Sequence, residues 1–140
     1  MKAGKEKALP SGVRWSLEVM AMIYVAVAVL FAVHPNWPIL VVNKAFIGYD
    51  WPLVFFPTEK FWFCLAVSVP GTRAFLAFTA ARRPVETGLC VRVLQVSLAL
   101  AATLFAWQFV FHKHAALYAL GCLIESIQVL FYLLLHRKLP

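Results

Sequence analysis

Ser68-Val69-Pro70-Gly71-Thr72-Arg73 interrupts an otherwise apolar run from about Phe61 to Ala81. Proline removes a helix hydrogen bond, glycine loosens the backbone, and an arginine follows within one turn. A charged side chain at membrane depth costs about 2.5–3.5 kcal/mol on insertion scales and is kept where a partner meets it. The chemistry to look for is therefore ion pairing and hydrogen bonding away from water. Arg92, Glu18, Glu125, Gln95 and Gln128 also fall within apolar runs and are the potential partners.

Helical spacing sorts these residues onto faces. Tyr118, Gly121, Glu125, Gln128 and Tyr132 recur at intervals of three and four. Gly88, Arg92, Gln95, Ala99 and Ala102 or Thr103 form a second such stripe. Ser68, Gly71, Thr72 and Thr79 form a third, with Arg73 rotated from it by about 100°. In the first helix Glu18 is followed by Met22 and Val25. Small and polar stripes of this kind describe the inward surface of a membrane bundle. At about 1.5 Å per residue, Glu125 and Gln95 fall near the midplane, and Arg73, Gln128, Arg92 and Glu18 fall nearer one surface. Arg73 or Arg92 is expected to meet Glu125, with the glutamines completing the hydrogen bonds. The candidate ligand-binding or polar-core residues are thus Ser68, Thr72, Arg73, Arg92, Gln95, Glu125, Gln128 and Tyr132. Such a network can fix helix packing, line a cavity for a small amphipathic molecule, or form a conducting path. The outer half of the bundle offers no ladder of acids for the last of these.

Catalytic and metal chemistry find less support. The sequence has no GxSxG, no HExxH and no phosphate-binding glycine loop. Glu125 near tyrosines is a possible general acid, but one carboxylate is not a reaction. His34, His112 and His114 lie toward one surface and, with Asp50 or Glu59, are the candidates for a metal or, as a pair, for haem. Interfacial histidines explain the same pattern, so no metal or cofactor is expected, while a bound lipid is possible. Cys64, Cys90 and Cys122 stand alone in separate runs, which argues against a CxxC redox or zinc motif.

The elements that must position these groups follow from composition. Hydrophobic residues make up 63% of the 140-residue chain and charged residues 14%. A domain of this size has too little interior to hide so much apolar surface, so the excess must face lipid. Four runs, about 15–33, 59–81, 86–110 and 115–135, are long enough to cross a hydrocarbon core of about 30 Å. They lack the alternation of barrel strands. The expected fold is an all-α integral membrane protein, a single domain of four transmembrane helices arranged up-down-up-down.

Residues 1–13 read as a basic cytoplasmic tail, followed by an uncleaved anchor helix because no small-residue cleavage site closes the first run. The 34–58 connection carries prolines at 35, 38, 52 and 57, with Trp37, Tyr49 and Trp51. It reads as an outer loop whose apolar Ile39–Gly48 stretch forms an interfacial or re-entrant element. The net charge of +7 is asymmetric. Lys2, Lys5, Lys7, Arg14, Arg82, Arg83, Arg137 and Lys138 fall on one side, and Lys44, Lys60 and Lys113 on the other. The positive-inside rule places both termini in the cytoplasm. Anionic headgroups are a secondary use for the basic side, and no motif points to nucleic acid.

A short first helix, a long structured outer loop and a proline-containing second helix resemble the layout of small sterol- and lipid-binding bundles of the sigma-2 receptor and sterol isomerase type. Phe61-Trp62-Phe63-Cys64 followed by Pro70 is the local echo. Those bundles place acids in the second helix, where this chain has Arg73, so the resemblance implies no ligand residue here. The chain reads as a non-enzymatic accessory or binding subunit that accommodates a lipid-like ligand or a partner helix at an inner-leaflet polar pocket. The alternative is a small transporter or channel component built as a homo-oligomer. A lipid-modifying membrane enzyme is the third reading.

Overall fold

A computed structural model describes residues 8–49, 60–112 and 114–139, with 60–63 and 112 described by backbone alone. Expectations for residues 1–7, for 50–59 of the outer loop and for Lys113 lie outside the described residues, as do those for the side chains of Phe61, Trp62, Phe63 and His112. All regular structure among the described residues is helical: α1 Ser11–Val33, α2 Trp37–Phe46, α3 Lys60–Arg82, α4 Pro84–Trp107 and α5 Ala116–His136. A π-helical turn, Gln108–His112, extends α4. The four long helices are long and apolar enough to cross a membrane.

Local chemistry explains the boundaries. Helix α1 starts four residues earlier than its apolar run, as Arg14 N–H bonds the Pro10 carbonyl at 3.1 Å. It ends before Pro35, which cannot continue the ladder. Helix α2 opens with Pro38 in its first turn and has ten residues, about 15 Å, too short to span. It packs against α5 and buries Ile39. Pro70 sits inside α3 without dividing it. One missing ladder bond is tolerated there because the rest of the helix satisfies its own backbone.

The turn from α3 to α4 is held by Thr87, whose hydroxyl donates to the Ala80 carbonyl at 2.7 Å and reaches the Arg83 carbonyl at 3.2 Å. Arg83 is extended at the N-cap, and Pro84 takes the first helical turn.

Helix α1 packs most extensively on α3, then α4 on α5 and α3 on α4. Ala74, Ala77, Ala80 and Ala81 make the buried face of α3, and small side chains allow close helix approach. Val13, Leu17, Ala21 and Tyr24 of α1 meet them, with Cys90, Val91, Leu94 and Leu98 of α4 and Tyr132 and Leu135 of α5 completing the core. This core occupies the half of the bundle nearest the α3–α4 turn. At that end Arg82 Nε lies 3.5 Å from Glu18, which also takes Arg14 Nε at 3.1 Å.

Three faces differ from the spacing argument. Helix α3 turns Arg73 inward and leaves Ser68 and Thr72 exposed, the reverse of the expected stripe. Helix α4 buries Thr87, Val91, Leu94 and Leu98, while Arg92, Ala99 and Thr103 face outward. In α1 the buried face is Leu17–Ala21–Tyr24, with Met22 and Val25 exposed. In each case the face that interdigitates best wins. Lipid is as apolar as leucine, so hydrophobicity alone does not select the inner face.

Candidate functional site

The site is built around Arg73, which is only 7% exposed. Helix α3 positions it one residue before Ala74, on the alanine-rich face, so its long side chain crosses the bundle. Its Nη1 donates to Glu125 Oε1 on α5 at 2.8 Å, with the two side chains 8% and 13% exposed. A charge-assisted bond of this length is strong, and outside water it is screened little. Arg73 Nε reaches Ser97 Oγ on α4 at 3.5 Å, the long end of hydrogen bonding.

The other helices join through neutral groups. Tyr24 on α1 donates its hydroxyl to Gln128 Oε1 at 2.6 Å. Gln95 Nε2 donates to the backbone carbonyl of Tyr132 at 2.9 Å. Each of the four long helices therefore contributes at least one polar group. Three buried atoms have no hydrogen bond of good geometry among the described residues: Glu125 Oε2, the Tyr132 hydroxyl, which lies beside Tyr24, and His136 Nδ1 at the end of α5. An ion pair with one spare carboxylate oxygen can still accept a hydrogen bond from a ligand hydroxyl or amine.

The predicted residues separate into three groups. Arg73, Glu125, Gln128, Gln95 and Tyr132 lie in or beside the polar centre, and Tyr132 is fully buried. Ser68 and Thr72 line a cleft on the outer side of Arg73. Arg92 points away from the centre and is exposed on α4. It is therefore not the arginine that meets Glu125. The spacing argument missed Tyr24 and Ser97. Tyr24 had a signal, since it continues the Val13, Leu17, Ala21 series at helical intervals. Ser97 had none beyond being a polar residue in an apolar run.

The cleft has a volume of about 210 Å³ and opens sideways between α3 and α4. Ser68, Val69, Thr72, Leu76, Val93 and Ser97 form its walls, with Arg73 among them. Its mouth faces the surface that lipid would cover. At the far end of the bundle, His34 and His114 are exposed, and His114 stands edge-on to Phe109 with ring centres 5.4 Å apart. No cluster of three potential metal ligands occurs among the described residues.

The chain matches no family model, no curated protein and no solved structure. The resemblance to sterol- and lipid-binding bundles finds no support in these comparisons.

Proposed function

We propose that this chain is a non-enzymatic, multi-pass membrane protein, a binding or accessory subunit that takes a lipid-like molecule into the cleft beside Arg73. The observation that carries this reading is the double role of Arg73. Its guanidinium is fixed by Glu125 at 2.8 Å, and the same side chain lines a cleft with three hydroxyl side chains, Ser68, Thr72 and Ser97. The apolar walls, Val69, Leu76 and Val93, suit a hydrocarbon body, and the hydroxyls suit one polar group. The centre behind the cleft is tied by its own bonds, which favours access from lipid over passage along the bundle axis.

The up-down-up-down arrangement is supported by the Arg82–Glu18 contact, which sets the end of α3 beside the start of α1. Arg14, Arg82 and Arg83 then share one end with Arg137 and Lys138, and the positive-inside rule makes that end cytoplasmic. Helix α2 belongs to the opposite surface as an interfacial element beside α5.

Native mass spectrometry from mild detergent tests the lipid reading. The wild-type protein is expected to retain a lipid that Ser68→Phe, which fills the cleft from its exposed rim, loses. Equal lipid retention by both proteins would overturn the reading.

One observation favours the alternative, a homo-oligomeric transporter component. Gly88, Arg92, Ala99 and Thr103 lie on one side of α4, and of these Arg92, Ala99 and Thr103 are exposed. An outward stripe of small residues with a charge suits helix–helix association in lipid. Light scattering of the detergent-solubilised protein would then show an oligomer that Ala99→Phe dissociates. A monomer in both cases removes this alternative.

A further inference from the structure

A second cleft, separate from the one assigned above, lies at the end of the bundle where α3 turns into α4. Its volume is about 380 Å³. Apolar and aromatic side chains, Phe75, Leu76 and Phe78, line one part, and Arg82, Arg83 and Glu86 line the part at the turn. From Phe75 to Arg82 the helix rises about 10 Å, most of one leaflet's share of a hydrocarbon core of about 30 Å. Hydrocarbon surface below and cationic groups above is the profile of a phospholipid in that leaflet.

The charges at this end do not cancel. Arg14 and Arg82 share Glu18, at 3.1 Å and 3.5 Å, and Arg83 pairs with Glu86 at 3.0 Å. Three arginines thus face two carboxylates, leaving one net positive charge before Arg137 and Lys138 are considered. Arg82 and Arg83 also remain half or more exposed, at 53% and 69% of their side chains. The guanidinium of Arg82 lies 5.0 Å from the centre of the Phe78 ring, which orients it over the apolar wall of the cleft. The ion pairs use Nε of Arg82 and Nη1 of Arg83, so each fork has further N–H groups that can reach a phosphate.

We infer that this cleft binds an anionic glycerophospholipid, with its phosphate between Arg82 and Arg83 and an acyl chain along Phe78, Phe75 and Leu76. The site goes beyond the proposed function, because it uses a different cleft and does not need a ligand beside Arg73. Leu76 lines both clefts, so the acyl chain lies against the wall of the first.

The test titrates phosphatidylglycerol or phosphatidylcholine into the full-length protein in detergent micelles and counts bound lipid by native mass spectrometry. The wild type is expected to prefer phosphatidylglycerol on the order of tenfold at low salt, as two basic groups near a surface allow. The double variant Arg82→Gln/Arg83→Gln is expected to lose that preference while still binding phosphatidylcholine. Arg82→Lys/Arg83→Lys, with its charges retained, is expected to keep part of it, which separates loss of the site from loss of the fold. A wild type with no preference, or a glutamine double variant that keeps the full preference, would overturn the inference. Ser68→Phe tells the two clefts apart, since it is expected to leave the preference intact whether or not the first cleft holds a lipid. Loss of the preference in Ser68→Phe would overturn the assignment to a separate site.

Discussion

Tyr24 and Gln128 are 104 positions apart in the chain and joined by a hydrogen bond of 2.6 Å. The bond connects α1 to α5, two helices that do not rank among the extensively packed pairs. Side chains, not backbone approach, therefore close the ring of helices on this side.

Tyr24→Phe leaves the Gln128 oxygen without its donor. Interhelical hydrogen bonds in membranes average about 0.6 kcal/mol, with about 1.7 as a ceiling, and the loss should fall in that range. Tyr132→Phe removes a buried hydroxyl that lies beside Tyr24 without a hydrogen bond of good geometry, so it should cost less than Tyr24→Phe. Unfolding midpoints of both variants in a denaturing detergent series measure the contrast. A Tyr132→Phe variant less stable than Tyr24→Phe would contradict it.

Arg73 and Glu125 should behave as a unit. Removing one partner of a buried pair leaves the other charge uncompensated, a loss of about 3–5 kcal/mol. Glu125→Gln and Arg73→Met should each be destabilised on that scale, and Arg73→Met/Glu125→Leu should recover most of the loss. Arg92→Met should cost little, since Arg92 is exposed and apart from Glu125. A double-mutant cycle with a coupling near zero would contradict the pairing.

Gly121 is required by its neighbour. A Cβ at this position would meet Cγ, Cδ1 and Cε1 of Phe105, each at 2.9 Å. Because Cγ is among them, moving the ring tip is not enough, and the whole side chain must change rotamer. Gly121→Ala should therefore cost about 1–3 kcal/mol by overpacking the α4–α5 contact. Phe105→Leu should restore part of it. The same unfolding series reads this out, and an Ala variant as stable as the parent would show that the ring yields freely.

Thr87 anchors the α3–α4 turn through a hydroxyl that is almost fully buried. Thr87→Val keeps the shape, loses both bonds and leaves the Ala80 carbonyl without this donor. A cost of about 1–3 kcal/mol is expected. Thr87→Ser should keep most of the stability. Thermal unfolding in detergent separates the two variants, and equal midpoints for Val and Ser would argue that the turn is held by packing alone.

Four apolar lengths and the breaks at Pro35 and Arg83-Pro84 were legible from residue order, because helix length in lipid and proline chemistry are local matters. So was the face of α5 that carries Glu125, Gln128 and Tyr132, whose polar groups alternate with large aliphatics at helical spacing. Which way α3 and α4 face was decided only by the tertiary structure. Each has polar residues on more than one side, and lipid exerts no strong preference between an inward alanine and an outward serine. Packing of Ala74, Ala77 and Ala80 against α1 turned Arg73 inward, and packing of Leu94 and Leu98 turned Arg92 outward. Spacing along one helix thus named two possible arginine partners for Glu125, and only the rotations of α3 and α4 about their own axes selected Arg73.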